Sequence, residues 1–365
     1  MVINFIPELA DKDISRDKLD FKSNFGLYIH IPFCEQKCNY CDFYSETVTE
    51  AALQSFIKSL KLEIDFYADI LSRSEIKTIY FGGGTPSLLK PDLMEDMIEF
   101  IQQKFSPPVT DAITMEANPA SLTYEKIKQY QKAGINRLSI GVQSFINKEL
   151  NLLGRLHSAA EACDILDKVN DVFANFNIDL MFALPQQEVT DWIYSLTTVL
   201  SYEPTHLSLY NLELEPNTVL AKKVSQGEYT PVSKEIDAEM YTAAIKKVKK
   251  HGYHQYEISN FALSGFESRH NLIYWNYKPY LGLGHAAHSF NGKMRFYNMS
   301  DINSYNHKLD MGKLPIQQVI SLDKKDLIAE RMMMGLRLTR GVSKNNFYKR
   351  FQVNLNQYYY QEIKE

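Results

Sequence analysis

The chain has few cysteines, and their placement is uneven. Of its 365 residues only four are cysteine, and three of these, Cys34, Cys38 and Cys41, lie close together while Cys163 stands apart. A framework of structural disulfides needs paired cysteines spread along the chain, so this distribution argues against one. It favours a reducing compartment, and we therefore expect a cytoplasmic protein.

A strong charge of one sign and long apolar runs are also absent. The chain has 40 Lys and Arg against 44 Asp and Glu, a net charge of −4. This balance gives no overall attraction to phosphate backbones, so we expect no nucleic-acid partner. No stretch approaches the roughly 18 uncharged apolar residues of a membrane-spanning helix. Residues 1–24 mix acidic and basic side chains and lack the apolar centre of a signal peptide.

What the sequence does contain is a regular alternation of short apolar runs and helical periods. It is typical of repeated βα units that form a parallel sheet. The predicted strands are 25–32, 77–84, 112–118, 137–144, 177–183 and 205–212. The helices predicted between them are 53–71, 91–104, 123–133, 158–170 and 190–201. Right-handed crossovers would curl six such units into an incomplete barrel.

The pattern changes after the sixth strand. A helix is predicted over 234–250, with acidic residues at its start, lysines at its end and Gly252 as its stop. Residues 253–310 show little periodicity, and another helix is predicted over 325–338. We therefore expect an α/β fold, a (β/α)6 partial barrel over 25–230. An N-terminal segment, 1–24, precedes it, and a smaller α+β or helical region, 231–365, completes the fold.

The three clustered cysteines are the strongest chemical signal. Cys34, Cys38 and Cys41 have the spacing C-x3-C-x2-C, directly after the first predicted strand. Three thiolates could bind zinc only with a fourth ligand from elsewhere, but they could hold three irons of a 4Fe–4S cluster and leave the fourth iron open. The position favours the cluster, and a zinc knuckle is the alternative.

Other candidate residues follow the later strands. Gly82–Pro86 ends the second run, Glu116 the third and Gln143 the fourth, while Asp179 lies inside the fifth and Asn211 near the end of the sixth. In parallel α/β folds the carboxyl ends of the strands meet at one rim, where ligands bind. A charge within an apolar run is costly unless it is paired, which favours a site role for Asp179.

The cysteine spacing followed by a glycine-rich turn resembles the radical S-adenosylmethionine (SAM) superfamily. The strings YIHIPFC, FGGGTPS, MEANPAS, RLSIGVQSF, IDLMFALP, LSLYNLELEP and HNLIYW extend this likeness. They are similar to the family of oxygen-independent coproporphyrinogen III oxidase and its haem-chaperone branch, over about residues 25–340. The resemblance implies a 4Fe–4S cluster on Cys34, Cys38 and Cys41, with SAM bound to the open iron.

The resemblance also implies a set of cofactor-binding residues. They are Tyr28, Tyr40, Gly83, Gly84, Thr85, Glu116, Gln143, Arg155 and Asp179. Gly83–Thr85 match the turn that runs along SAM, where a missing side chain lets the backbone approach the ligand. Glu116 matches the acceptor of the ribose hydroxyls. Gln143, Arg155 and Asp179 match residues that contact a second SAM in the oxidase; for Arg155 a solvated surface charge is the alternative.

Two features separate the branches of the family. The oxidase has a further cysteine two residues after the third ligand, and Phe43 stands there. His270, Asn271 and Tyr274 form the HNxxY motif that is associated with haem binding in the chaperone branch, and His and Tyr are both suitable iron ligands. A structural histidine, with Tyr274 packed in the core, is the alternative.

These features predict a haem chaperone that binds a 4Fe–4S cluster, SAM and haem and delivers haem to haemoproteins. The resemblance suggests membrane-bound respiratory proteins as recipients, with a peripheral association of this chain at the membrane. A monomer or a homodimer is expected. Two enzymes are the alternatives: the oxygen-independent coproporphyrinogen III oxidase, which decarboxylates propionate side chains, and a radical SAM enzyme with another substrate.

Overall fold

The computed structural model describes residues 19, 21, 24–47, 49–71, 74–105 and 112–364. Most of the predicted N-terminal segment, 1–24, lies outside the described residues. The strands are β1 (Phe25–Ile31), β2 (Phe33–Cys34), β3 (Glu46–Thr47), β4 (Ile76–Gly83), β5 (Ile113–Ala117), β6 (Arg137–Gln143), β7 (Phe176–Phe182), β8 (His206–Asn211), β9 (His254–Gln255), β10 (Asn260–Ala262), β11 (Tyr280–Leu283), β12 (His288–Phe290), β13 (Met294–Asn298) and β14 (Ile316–Ser321).

The helices follow in the same chain order. They are α1 (Glu50–Ile70), α2 (Pro91–Lys104), α3 (Tyr124–Lys132), α4 (Asn147–Leu153), α5 (Ala159–Val172), α6 (Val189–Leu200), α7 (Val219–Ser225), α8 (Lys234–Lys250), α9 (Arg269–Trp275), α10 (Ile302–Asp310), α11 (Lys324–Gly335), α12 (Lys344–Phe351), α13 (Leu355–Tyr358) and α14 (Tyr360–Lys364). Within the described part of the chain, none of them combines the length and the apolar character that crossing a bilayer requires.

One large open sheet organises the molecule. Its strand order is β14-β13-β12-β11-β1-β4-β5-β6-β7-β8-β10-β9. The six predicted strands are β1, β4, β5, β6, β7 and β8, which lie side by side and run parallel. Helices α1, α2, α3, α5 and α6 occupy the predicted gaps between them. The predicted fold class, a radical-SAM-type partial barrel, is therefore confirmed.

The C-terminal part of the chain extends both edges of this sheet. Strand β11 pairs parallel with β1, and β12, β13 and β14 continue that edge in antiparallel fashion. On the other edge, β10 and β9 add antiparallel to β8. Residues 253–310 thus hold five short strands and two helices where the sequence shows little periodicity. The boundary between the partial barrel and the C-terminal region, placed between residues 230 and 231, stays a prediction.

The long helix α1 packs on the sheet through the stripe that its sequence predicts. Leu53, Phe56, Leu60 and Ile64 recur every three or four residues and are buried. The Thr49 hydroxyl accepts from the Ala52 amide and caps the helix start. The stripe thereby places α1 against the main hydrophobic core of the molecule.

A buried carboxylate joins α1 to the C-terminal part of the chain. Glu63 accepts hydrogen bonds from the backbone amide of Gly284 at 2.8 Å, the side-chain amide of Asn298 at 2.6 Å and the hydroxyl of Tyr305 at 2.6 Å. Burial raises the pKa of Glu63 to about 7. Three buried donors therefore depend on one acceptor, which holds distant parts of the chain together.

Candidate functional site

A cavity of about 470 Å³ opens at the carboxyl ends of the parallel strands. Its volume is in the range of small-molecule sites. The predicted site residues that line it are Cys34, Cys38, Tyr40, Cys41, Gly83, Gly84, Thr85, Glu116, Gln143, Arg155 and Asp179. Tyr28 lies behind this wall, where its ring stacks on that of Tyr80 at a centroid distance of 6.2 Å. Phe43 also lines the cavity, and its side chain is 68% exposed.

The cysteine loop forms one wall of the cavity. Cys34 ends β2, and Cys38 and Cys41 follow in the loop, all three partly exposed. The Thr85 hydroxyl lies 3.5 Å from the sulfur of Cys34, and a guanidinium nitrogen of Arg155 lies 3.4 Å from the sulfur of Cys38. Burial raises the pKa of the Cys41 thiol, and the neighbouring thiols add to the effect. A bound metal cluster would instead favour the thiolates.

The three cysteines are a ligand set of the kind that a 4Fe–4S cluster uses. Among the described residues, no three His, Cys, Asp or Glu side chains converge on a point that could hold a single metal ion. In a 4Fe–4S cluster each cysteine binds a different iron, so the sulfurs surround the cluster. The three cysteines line a common cavity, as that arrangement requires.

The glycine turn after β4 is needed by the packing beneath it. Gly83 has φ +112, and a Cβ there would lie 2.6 Å from the ring of His30. A Cβ on Gly84 would lie 2.6 Å from the carbonyl oxygen of Phe33. The sequence suggests only that a ligand approaches this turn. The structure adds a second reason for glycine, because the turn is pressed against β1 and β2.

Glu116 is held at the cavity wall by two donors. The Tyr80 hydroxyl donates to one carboxylate oxygen at 2.8 Å, and the Gly83 amide donates to the other at 3.1 Å. Burial raises the pKa of Glu116 to about 7; Asp179 adds to the rise, and Arg137 opposes it. Tyr80 is a site residue that the sequence reasoning missed, because a tyrosine within an apolar strand is usually a core residue.

Two polar groups on the wall fit a polar ligand. Among the described residues, neither Oε1 of Gln143 nor Nε of Arg155 has a hydrogen-bond partner, although both atoms are buried. Gln143 also has φ +71, an uncommon conformation for a residue with a side chain. Buried polar atoms are nearly always bonded, so their position in a cavity points to a ligand that supplies the partners. These residues are therefore compatible with a polar ligand such as SAM.

Asp179 is oriented by a buried polar network. The side-chain amide of Asn177 donates to Asp179 at 2.7 Å, and the carbonyl of that amide is bonded to the ring of His206 at 2.6 Å. The second ring nitrogen of His206 is bonded to the hydroxyl of Tyr256 at 2.8 Å. Burial raises the pKa of Asp179. The sequence did not point to Asn177, His206 or Tyr256, since their contacts depend on strand pairing.

The HNxxY motif lies on α9, behind the cavity wall. His270 is buried, and its ring nitrogens are bonded to the hydroxyls of Thr78 and Tyr274, both at 2.7 Å. Burial lowers the pKa of His270 to about 3, so the ring is neutral. Asn271 is partly buried, and its backbone amide donates to Ser268. Iron ligation by His270 therefore requires that a ring nitrogen leave its present partner.

Comparison with known proteins places this site in a family. Residues 28–196 match the model of the radical SAM superfamily, and residues 322–365 match that of the HemN C-terminal domain. The chain is 36% identical over 328 residues to the heme chaperone HemW of Bacillus subtilis, covering 89% of this chain and 86% of that protein. It is 38% identical over 275 residues to HemW of Escherichia coli, covering 74% and 70%.

The fold agrees with a solved structure. Coproporphyrinogen III oxidase (HemN) from Escherichia coli superimposes with a TM-score of 0.80 at 21% identity, over 93% of this chain and 82% of that chain. The parallel sheet with a cysteine loop and a glycine turn at its rim is that of a radical SAM protein. The chain belongs to the radical SAM superfamily and, within it, to the family of the heme chaperone HemW.

Proposed function

We propose that the protein is a haem chaperone that carries a 4Fe–4S cluster and SAM and delivers haem to target haemoproteins. The observation that supports this most is its similarity to proteins named heme chaperone HemW, at 36% identity over 89% of this chain. Phe43 supports it too, because this exposed aromatic residue stands where the oxidase branch has a further cysteine. The cytoplasm is the proposed location.

The proposed cluster ligands are Cys34, Cys38 and Cys41, and SAM would bind in the cavity beside them. Bound there, a reduced cluster supplies electrons to a ligand on its open iron. Gly83–Thr85 would follow the ligand with their backbone, and the Glu116 carboxylate would accept from ribose hydroxyls. Gln143, Arg155 and Asp179 line the same cavity and match the residues that contact a second SAM in the oxidase branch.

For haem, the residues proposed are His270, Asn271 and Tyr274. The two bonds of the His270 ring keep it inside the fold, so ligation would need a local rearrangement of α9. Haem titration of the purified protein, followed at the Soret band, tests this assignment. A His270→Ala, Tyr274→Ala double variant should lose affinity, whereas the exposed His254→Ala should not. Equal affinity in all three proteins would remove the motif from the haem site.

A single preparation can separate the chaperone from the oxidase. We expect stoichiometric haem binding and no turnover when the anaerobic, cluster-containing protein receives coproporphyrinogen, SAM and a reductant. Haem transfer to an apo-haemoprotein, either soluble or in membranes, should then follow with a matching loss of haem from this chain. Steady formation of protoporphyrinogen would instead identify an oxidase. SAM cleavage without either result would indicate another radical SAM enzyme.

The proposed recipients are membrane-bound respiratory haemoproteins. Co-sedimentation with membranes that contain such apoproteins, compared with membranes that lack them, tests the peripheral association. Binding to both kinds of membrane alike would contradict recognition of a recipient. Light scattering of the cluster-containing protein distinguishes the proposed monomer from a homodimer.

A further inference from the structure

Helix α9 packs tightly against the first two strands of the barrel, and a missing side chain makes this possible. A Cβ on Gly26 in β1 would lie 2.7 Å from Ile273 and 3.3 Å from the ring of His270. The same Cβ would lie 3.2 Å from the hydroxyl of Thr78 in β4. The helix therefore packs directly on the backbone of β1, and the ring of His270 contacts Thr78 and Tyr80 of β4.

The ring of His270 is fixed on three sides. Thr78 and Tyr274 each hold one ring nitrogen at 2.7 Å. The ring face lies against Tyr80, with centroids 5.0 Å apart and planes 28° from parallel. A neutral imidazole has one donor and one acceptor nitrogen, so these two hydroxyls satisfy it completely. The position of the His270 ring is thus determined by Thr78 of β4 and by Tyr274 of its own helix, α9.

Tyr80 connects His270 to Glu116 in the cavity wall. Its ring packs against those of His270 and Tyr28, at centroid distances of 5.0 Å and 6.2 Å, and the latter two rings lie 6.4 Å from each other. The hydroxyl of Tyr80 donates to Glu116 at 2.8 Å. Gly82 leaves room for this arrangement, since a Cβ there would lie 2.9 Å from Tyr80 and 3.1 Å from the Glu116 carboxyl carbon. Contacts with two neighbouring rings therefore restrict the orientation of the Tyr80 ring and the direction of its hydroxyl.

We propose that His270 and Tyr274 are positioning residues of the SAM site, which hold Tyr80 so that its hydroxyl keeps the Glu116 carboxylate turned toward the cavity. The proposal rests on the proposed binding of SAM by Glu116, and it gives the HNxxY motif a role in the haem-free protein. It does not depend on haem ligation. A histidine that only filled space in the core would have no effect on how Glu116 titrates.

The test measures SAM binding by equilibrium dialysis on anaerobic, haem-free protein with its cluster in place. Tyr80→Phe and His270→Ala should each weaken SAM binding about tenfold, the effect of one lost hydrogen bond to a charged group. The double variant should be no weaker than either single variant, because both changes break one chain of contacts. Iron content should stay that of the unmodified protein. The exposed His254→Ala serves as the control.

A pH profile separates positioning from a structural role. The hydroxyl of Tyr80 lowers the pKa of Glu116, as does Arg137, while Asp179 raises it. Loss of the Tyr80 bond should therefore move the rise of SAM affinity to higher pH, in Tyr80→Phe and in His270→Ala alike. If His270→Ala does not fold, Tyr274→Phe keeps the ring and removes only the hydroxyl, and the same shift is expected in a smaller amount.

The outcomes are distinct. Unchanged affinity and an unchanged pH profile in the His270 and Tyr274 variants, with normal SAM binding by the unmodified protein, would overturn the positioning role alone. Additive losses in the double variant would do so too, because they would show independent effects. Failure of the unmodified protein to bind SAM would overturn the proposed SAM site and this inference with it. Haem affinity, measured separately, reports on the chaperone function.

Discussion

The guanidinium group of Arg155 donates to the sulfur of Cys38 across 3.4 Å, while its other terminal nitrogen donates to the carbonyl oxygen of Gly141 at 2.5 Å. The second bond anchors the side chain to β6, next to the cavity. A positive charge is thereby held beside a proposed cluster ligand. Charge and hydrogen bonding at a cluster sulfur both favour the reduced, more negative cluster.

Arg155→Leu should lower the reduction potential of the reconstituted cluster. The expected shift is roughly 60 mV, the one-electron equivalent of about 1.4 kcal/mol for a lost charged hydrogen bond. A redox titration followed by electron paramagnetic resonance measures it. The control is Lys148→Leu, which removes an exposed charge on α4. Equal potentials for Arg155→Leu and the unmodified protein would mean that Arg155 does not act on the cluster.

The cluster itself makes a separate prediction. Anaerobic reconstitution should give about four irons per chain, with three cysteines as protein ligands. Cys38→Ser should lose most of this iron and the visible absorption of the cluster. Cys163, which lies on α5 and outside the cavity, serves as the matched control, and Cys163→Ser should keep full iron. A Cys38→Ser protein with full iron would contradict the assignment.

SAM affinity should increase with pH around neutrality. Because burial raises the pKa of Glu116 to about 7, its carboxyl group is protonated below that pH and ionised above it, and only the ionised group is purely an acceptor. Affinity should rise roughly tenfold from pH 6 to pH 8, following the ionised fraction. Dialysis at several pH values measures this. Glu116→Gln should bind weakly with no such rise, and an equal rise in both proteins would exclude Glu116 as its source.

Glu63→Ala should destabilise the protein by about 3 kcal/mol, because it leaves three buried donors without their acceptor. Chemical denaturation measures the free energy of unfolding, and the exposed Asp69→Ala on the same helix is the control. The folded pKa of Glu63, about 7, is above its ordinary value. The stability that its protonated form contributes is therefore complete below about pH 4.5 and is lost as the pH rises through 7.

The difference between Glu63→Ala and the unmodified protein should accordingly be larger at pH 6 than at pH 8. Chemical denaturation of both proteins at pH 6 and at pH 8 measures this difference in the free energy of unfolding. A difference that grew with pH would show that the carboxylate, rather than the carboxylic acid, is the stable form in this network. Glu63→Gln, which cannot ionise, should remove the pH dependence that Glu63 contributes.

The sequence predicted the rim of the barrel better than its interior. Continuous apolar runs identify the strands in the sequence. The residues at their carboxyl ends, Gly83, Glu116 and Gln143, could therefore be placed together on one rim of the barrel. The partner of Glu116 could not be found this way. Tyr80 is paired with Thr114, two residues before Glu116, and parallel strands that are buried on both faces, as β4 and β5 largely are, lack the one-sided apolar pattern from which this register could be predicted.

Some local features also become visible only in the structure. Ala183, which directly follows β7, takes φ +56, a left-handed conformation that glycine adopts at little cost. The HNxxY motif is another case. Its residue types suggest iron ligands, and the burial of His270 follows from the packing of α9 on Gly26, a contact between residues far apart in the chain.

The pairing of β11 with β1 determines when the sheet can finish folding. Leu27 lies beside Leu281, so one side of the first strand stays without a neighbour until most of the chain has left the ribosome. The cysteine loop that follows β1 is made early but remains attached to an unfinished barrel. We therefore expect the cysteine loop to gain its final support only after residues 280–283 have been made and have paired with β1.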